Sequence, residues 1–382
     1  MAYDKLFDTI ASLNDKYINI WEDVCNIESP TDSKEGVDAV NDYFIALARE
    51  RGWSVERKAM KTAGDVVCIT MNPDSKLPPV TFSGHTDTVH PIGLFGNPPC
   101  RRDEKYIYGP GVMDCKGGIV ASFLAMDALS KTDFIKRPLK LILQSDEEQS
   151  SRPSNKATID FMCEKAKGSA VFFNCEGSKA GTIALTRKGI LFSRVTITGK
   201  AVHAARCQDG ASAIVEAAHK IIELEKLKDG DGLTCNCGLI NGGSAPNSVP
   251  SSCSFTVDMR FSTNEELEEG RKLLRNICAT TFVEGTETLL EEISMRPAMV
   301  SRERNTKLFE RMNEIFEDAG MAKLTARRCP SGSDAAYVTE AGIPCVDCIG
   351  VEGNFIHSIK EHALLSSLAE SAKRMAVVAL KI

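Results

Sequence analysis

His85 and Asp87 stand two residues apart at the end of the apolar run Thr81-Phe82-Ser83-Gly84, and on extended chain an i, i+2 pair faces one side. Both side chains can bind a metal ion. A single His-x-Asp pair carries little information, but four further stretches supply groups of the same kind: Gly111-Val112-Met113-Asp114, Ser145-Asp146-Glu147-Glu148, Cys175-Glu176 and Phe355-Ile356-His357-Ser358. A two-zinc hydrolytic centre requires such a set. Its ions lie ~3.5–4 Å apart and share a carboxylate, and a separate carboxylate is needed to move the proton of the attacking water. Any one loop Asp or Glu would by itself be a solvated surface charge; only the whole set together points to a metal centre.

These groups need elements that deliver them to one place. Residues from Lys5 to Cys25 and from Gly36 to Arg51 alternate apolar and charged positions with helical period, separated by Ser29-Pro30-Thr31-Asp32-Ser33, a turn followed by a helix cap. Val66 to Met71 and Pro79 to Phe82 read as strands, the second ending at His85. A helix of small and apolar residues, Gly117 to Leu129, follows Asp114. The strand Leu139 to Leu143 delivers Glu147 and Glu148, and after a helix over Ala157 to Lys167 the strand Ala170 to Phe173 delivers Glu176. Short apolar strands alternating with helices predict an α/β sheet with helices on both faces, which binds its ligands beyond the C-terminal strand ends.

From about residue 187 the pattern changes. Strands are expected over Ile190 to Ile197, Leu233 to Ile240, Cys253 to Phe261 and Thr286 to Ile293, with helices over Ala211 to Leu227 and Asn264 to Cys278. The order βαββαβ is that of a ferredoxin-like sandwich inserted into the first domain. Beyond it come a helix from Leu308 to Ala319, a strand from Ile343 to Gly350 and a closing helix from Leu364 to Leu380. The expected division is a first catalytic segment over 1–184, a lid over 185–295 and a second catalytic segment over 296–382.

A chain of 382 residues with net charge −6 and scattered basic residues lacks the basic stripe that phosphate binding needs, so nucleic acid is not an expected partner. No apolar stretch approaches the ~18 residues of a membrane span, and the N-terminus has no secretory signal pattern. Fourteen cysteines lie mostly inside apolar runs, as reduced core thiols do, which predicts a cytoplasmic protein. Cys235-Asn236-Cys237 has no second Cys pair at ligand spacing and reads as strand. His90, His219 and His362 have no evident partners and read as ordinary surface or helix residues.

Ser83-Gly84-His85-Thr86-Asp87, Gly111-Val112-Met113-Asp114-Cys115-Lys116-Gly117-Gly118, Asp146-Glu147-Glu148, Gly199-Lys200-Ala201-Val202-His203-Ala204, Asn247-Ser248-Val249-Pro250, Asp258-Met259-Arg260 and Ser331-Gly332-Ser333-Asp334-Ala335 resemble the motifs of the co-catalytic zinc peptidases and deacylases. That family includes bacterial glutamate carboxypeptidase, aminoacylase and succinyl-diaminopimelate desuccinylase. The resemblance covers essentially the whole chain. It implies an α/β fold in which a mixed-sheet zinc-peptidase catalytic domain carries an inserted ferredoxin-like lid, also the dimerisation domain. It implies two Zn2+ per subunit, replaceable by Co2+ or Mn2+. Asp114 would bridge the ions, His85 and Glu176 would complete one, and Glu148 and His357 the other. Glu147 would be the general base, distinct from its ligand neighbour because a metal-bound carboxylate has its lone pairs committed. Asp87 would accept from the second ring nitrogen of His85.

His203, on the lid, would stabilise the oxyanion from the partner of a homodimer. Asn247, Arg260, Arg296 and Gly332 would contact substrate. Arg296 is either the anchor of the substrate carboxylate or one half of a hinge ion pair. The implied substrate is a small peptide or an N-acyl amino acid, cleaved at an amide next to a free carboxylate in the manner of a carboxypeptidase, with N-acyl-amino-acid deacylase or dipeptidase as the alternative. A scaffold that had lost the chemistry would lack the base or the bridging carboxylate, and both are present. The chain departs from the family pattern at Gln149-Ser150-Ser151, where many relatives have a Gly-Ser pair, and in Cys115 and Cys175, which adjoin ligands and would be liabilities if exposed.

Overall fold

In a computed structural model the protein is described over residues 2–132, 137–230 and 232–382. The chain divides into two compact units, one made of 1–185, 301–328 and 337–382, the other of 186–300 with 329–336. Segment 329–336, expected with the catalytic domain, thus groups with the inserted unit.

The first unit is built on an eight-stranded mixed sheet. Its order is Ser54–Lys58, Val66–Met71, Leu139–Gln144, Val80–His85, Val171–Asn174, Cys345–Asp347, Thr182–Arg187 and Thr325–Cys329. The four strands from Leu139–Gln144 to Cys345–Asp347 run parallel to one another, and the strands before them pair antiparallel. Phe82 and Phe173, on adjacent parallel strands, stack at 5.5 Å, a contact worth ~0.5–1.5 kcal/mol beyond its area.

The helix Ala2–Asn26 buries Leu6, Ile10, Tyr17, Trp21 and Val24, spaced by three, four and seven so that they form one stripe. Ser33 caps the helix Lys34–Glu50 by accepting the N–H of Gly36 at 3.1 Å. The helix Lys116–Ser130 is buried on all sides, as its lack of a polar face requires, between the sheet and the helices Ala2–Asn26 and Ser367–Lys381. A second small sheet is antiparallel throughout, ordered Gly353–Asn354, His362–Leu364, Tyr106–Tyr108 and Arg101–Arg102. Strands of two or three residues show no periodicity, so sequence reading did not find it.

The second unit is a four-stranded antiparallel sheet ordered Thr234–Gly242, Ser252–Phe261, Gly189–Thr198 and Glu287–Arg296. The helices Ala213–Leu224 and Asn264–Ala279 complete the expected βαββαβ order. Ser252–Phe261 alternates strictly, with Cys253, Phe255, Val257, Met259 and Phe261 buried. Cys235 and Cys237 lie on the strand Thr234–Gly242, as expected, beside a register shift between Asn236 and Leu239. The first unit is therefore the α/β domain and the second the inserted sandwich. No helix among the described residues is long and apolar enough to cross a membrane.

Candidate active site

Three adjacent parallel strands end at the same edge of the large sheet. Val80–His85 ends on His85, Leu139–Gln144 leads into Glu147 and Glu148, and Val171–Asn174 leads into Glu176. Side chains far apart in sequence converge there because parallel strands place their C-terminal ends together. Asp114 arrives from the loop before the helix Lys116–Ser130. That helix approaches so closely that a Cβ on Gly118 would stand 1.8 Å from the carbonyl oxygen of Cys175, the neighbour of Glu176. His357 comes from the connection between two strands of the small sheet, in the left-handed region at φ 59°.

The carboxylate of Asp114 is shared. Its Oδ1 lies 3.0 Å from His85 Nε2 and its Oδ2 lies 3.3 Å from His357 Nε2. His85 Nε2 is also 3.7 Å from Glu176 Oε1, and His357 Nε2 is 3.2 Å from Glu148 Oε2. The five residues expected as metal ligands are thus brought together. His85 is 2% exposed and His357 has half its side chain open to solvent, so the cluster has a buried side and an open side.

Burial by itself would raise the Asp114 carboxyl, but hydrogen bonds from His357 and His85 outweigh it and hold it well below the usual carboxylate range. Burial and the adjacent Asp114 charge push Glu148 up to about 8, while hydrogen bonds to Asp114 and Glu148 push His357 up to about 11. Buried like charges at this density call for a cation, and imidazole nitrogen with carboxylate oxygen is a donor set that zinc accepts. His85, Asp114 and Glu148 offer ligand atoms all within 4.8 Å of one another, as do His85, Cys115 and Glu176. In the second group the sulfur is a poor donor, because burial pushes the Cys115 thiol up to about 12. Cys115 and Cys175 are both fully buried, which removes the liability that exposure would bring.

Asp87 is fully buried beneath this cluster. His85 Nδ1 donates to the main-chain carbonyl of Asp87 at 2.9 Å, with the Asp87 carboxylate farther at 3.3 Å. The expected acceptor was the carboxylate, and the main-chain oxygen is the nearer one. Either contact fixes the hydrogen on Nδ1 and leaves Nε2 as the ring nitrogen that faces Asp114. The Asp87 carboxylate has other donors. It accepts the main-chain N–H groups of Glu147 and Glu148, each at 3.2 Å, and the Thr31 hydroxyl at 2.7 Å.

Glu147 opens a short 3-10 turn, Glu147–Gln149, followed by Ser150 at φ 56° and Ser151 at φ 53°. The departure Gln149-Ser150-Ser151 therefore puts two serines in the left-handed region that glycine adopts without strain. Gln144 steadies the bend, donating to Ser151 Oγ at 3.0 Å and accepting the N–H of Asp146 at 2.8 Å.

The remaining expected site residues all lie in the second unit. His203 is exposed, and its Nδ1 accepts the N–H of Ala205 at 3.2 Å, so the ring hydrogen sits on Nε2. Asn247 is beside it, its carbonyl accepting the N–H of Ala204 at 2.9 Å. The Arg260 guanidinium is bidentate on Asp258, at 2.7 Å for both bonds. Residues i and i+2 share a strand face, so this pairing was legible in Asp258-Met259-Arg260. Arg296 is buried, 3.5 Å from Asp334 Oδ1, and a Cβ on Gly332 would stand 3.1 Å from Arg296 Cδ.

Sequence reading missed Glu361 and its partner His90. His90, which the sequence predicts to be an ordinary surface or helix residue, is 5% exposed, with Nε2 2.9 Å from Glu361 Oε2 and its ring edge-on to Phe95 at 4.9 Å. His362 likewise has neighbours, its ring 5.1 Å from Tyr106 and 5.6 Å from Phe355. The only sequence signal was an acidic residue four positions after His357.

Residues 81–381 match the sequence profile described as "Peptidase family M20/M25/M40". Carboxypeptidase G2 of Pseudomonas sp. (strain RS-16) is 27% identical over 365 residues, covering 93% of this chain and 86% of that protein. Acetylornithine deacetylase of Myxococcus xanthus is 28% identical over 80% of this chain and 82% of its own length. Among solved structures, a tripeptidase of Staphylococcus aureus has a TM-score of 0.78 at 21% identity, over 96% of this chain and 98% of that one. A metallo-carboxypeptidase of Sulfolobus solfataricus has a TM-score of 0.75 at 16% identity, over 95% and 98%. At those identities the structures share the fold. Because the profile match runs from before His85 to beyond His357, the chain belongs to peptidase family M20/M25/M40 and is an enzyme, a hydrolase of the metallopeptidase kind.

Proposed function

We propose that the protein is a two-zinc hydrolase that cleaves an amide next to a free carboxylate, in the manner of a glutamate carboxypeptidase. The observation that carries this is the Asp114 carboxylate, one oxygen facing His85 and the other His357. In this reading Asp114, His85 and Glu176 would hold one ion, and Asp114, Glu148 and His357 the other. Zinc, when bound, would polarise the scissile carbonyl and acidify a water; cobalt or manganese suits the same donors.

The chain's own groups do the rest. Glu147, its main chain pinned by Asp87, takes the proton of the attacking water on its carboxylate and returns it to the leaving amine. Asp87 and its carbonyl keep the His85 hydrogen on Nδ1. His203 carries its hydrogen on Nε2 and is suited to donate to the oxyanion, with Asn247 beside it. The lid is assigned as the homodimer contact, so that the donor reaching each site is His203 of the partner subunit, and the enzyme is assigned to the cytoplasm. Arg296, with Gly332 at its side and Asp334 Oδ1 at 3.5 Å, is assigned as the anchor for the substrate carboxylate, and Arg260, bidentate on Asp258, as a further substrate contact.

The carboxypeptidase reading is favoured over an N-acyl-amino-acid deacylase or a dipeptidase by the 93% of the chain aligned with carboxypeptidase G2. The test is hydrolysis by zinc-reconstituted protein of N-acyl glutamates, other N-acyl amino acids and dipeptides, with Glu147→Ala as control. Turnover of peptidyl or aroyl glutamates by the wild type alone supports the reading. A preference for simple acyl groups on varied amino acids moves it to deacylase, and zinc-loaded protein silent on every amide overturns it.

A further inference from the structure

Glu361 is a buried carboxylate that the proposed mechanism does not use. It is 1% exposed and lies four residues beyond His357, in the turn leading to His362–Leu364. Its Oε1 accepts the main-chain N–H of Met113 at 3.0 Å and of Asp114 at 3.1 Å. Its Oε2 accepts from His90 Nε2 at 2.9 Å and, at 3.4 Å, from the N–H of Gly111. Its carbonyl accepts the N–H of Gly109 at 3.3 Å, and its own N–H donates to the Ser358 carbonyl at 2.9 Å. One residue therefore grips the loop Gly109–Asp114 at four main-chain positions while belonging to the connection that carries His357.

His90 adds a third segment. It lies five residues past His85, so through Glu361 the loops bearing His85, Asp114 and His357 meet at one buried anion. Gly111 is at φ 73°, where its N–H can turn inward with those of Met113 and Asp114 to form a concave nest for a carboxylate. Hydrogen bonds from main-chain N–H groups to a carboxylate are directional, and each fixes the backbone position that donates it.

We propose that Glu361, with His90 as its buried partner, is a positioning residue that sets how the Asp114 carboxylate meets the imidazoles of His85 and His357. The inference rests on the reading of these residues as a metal centre and assigns what holds its two halves in register. A residue that merely held the fold would protect the whole unit equally. Glu361 bonds instead to the main-chain N–H of Asp114 itself.

The test compares wild type, E361Q and H90F by amide hydrogen exchange, by zinc titration against a competing chelator, and by kcat and KM. In E361Q one acceptor oxygen becomes an N–H that faces other donors. Exchange at Gly111, Met113 and Asp114 is then expected to speed up at least tenfold, with the helix Lys116–Ser130 unchanged. The weaker zinc is expected to be lost at least tenfold more readily, and kcat to fall with KM unchanged. H90F, which keeps a ring against Phe95, is expected to show the same changes to a smaller degree, and it carries the test if E361Q does not fold. Wild-type exchange and zinc affinity in the folded variants would overturn the proposal. So would exchange accelerated uniformly through the unit with zinc affinity unaltered. If the wild type takes up no zinc and hydrolyses nothing, the hydrolase reading fails, and the local exchange still decides whether Glu361 holds the loop.

Discussion

The main-chain N–H of Glu147 points at Asp87 Oδ1 from 3.2 Å, and the N–H of Glu148 makes the matching contact to Oδ2. One buried residue thus fixes the backbone of two adjacent acidic residues for which different tasks are proposed, while its own carbonyl orients His85. Asp87→Asn replaces one acceptor oxygen with an amide N–H facing another N–H. The expected outcome is a ~10- to 100-fold loss in kcat or zinc affinity with KM little changed. Steady-state kinetics at saturating zinc, beside a zinc titration, measure both; an unchanged kcat and affinity would show that Asp87 has no such role.

Burial and the Asp114 charge raise Glu148 to about 8, and hydrogen bonds to Asp114 and Glu148 raise His357 to about 11, so this pair retains at least one proton at pH 7 before metal arrives. Zinc must displace each such proton, so its affinity rises with pH, by up to about tenfold per unit for each proton released. The Glu148 share of that rise levels off above about 8. Calorimetric titration in buffers of different ionisation heat counts the protons, and at least one is expected to be released per subunit at pH 7. Proton-neutral uptake would contradict the charge states assigned here.

Ser150 at φ 56° carries backbone strain that a glycine would not. Ser150→Gly is expected to stabilise the protein by about 1 kcal/mol, reduced somewhat by the greater freedom of glycine in the unfolded chain. A higher urea midpoint at constant slope is the readout. A lower midpoint would show that contacts of the serine outweigh the strain.

Gly118 has no room for a methyl group, since its Cβ would meet the Cys175 carbonyl oxygen at 1.8 Å. Gly118→Ala must push the helix Lys116–Ser130 off the strand end that leads to Glu176. A loss of ~3 kcal/mol or more in urea unfolding is expected, together with weakened zinc binding. Gly52→Ala, where nothing lies within 4 Å but φ is 69°, separates a clash from backbone strain alone.

His85, Glu147, Glu148 and Glu176 were legible because each follows an apolar strand whose end is visible in the sequence, and parallel strands bring their ends together. The βαββαβ order of the second unit was legible for the same reason, in strands of nine or ten residues that show their period. Glu361 was not. Its carboxylate meets main-chain N–H groups 247 to 250 residues away, donors that leave no mark on residue type, and the His90 ring 271 residues away. Arg296 meets Asp334 across a long stretch of chain, a pairing of two charges that spacing cannot reveal. Arg260 differs, since Asp258 stands at the i−2 position where strand geometry announces a partner.

The insertion of the second unit between the segments of the first also orders events during synthesis. His85, Asp114, Glu148 and Glu176 leave the ribosome before residue 186, and His357 and Glu361 only after the inserted sandwich has been made. At ~5–20 residues per second, that interval lasts on the order of ten seconds or more. Through it the nascent chain holds the residues proposed for one ion, His85, Asp114 and Glu176, with the Asp114 loop untied, while the set proposed for the other ion is complete only once His357 has been made.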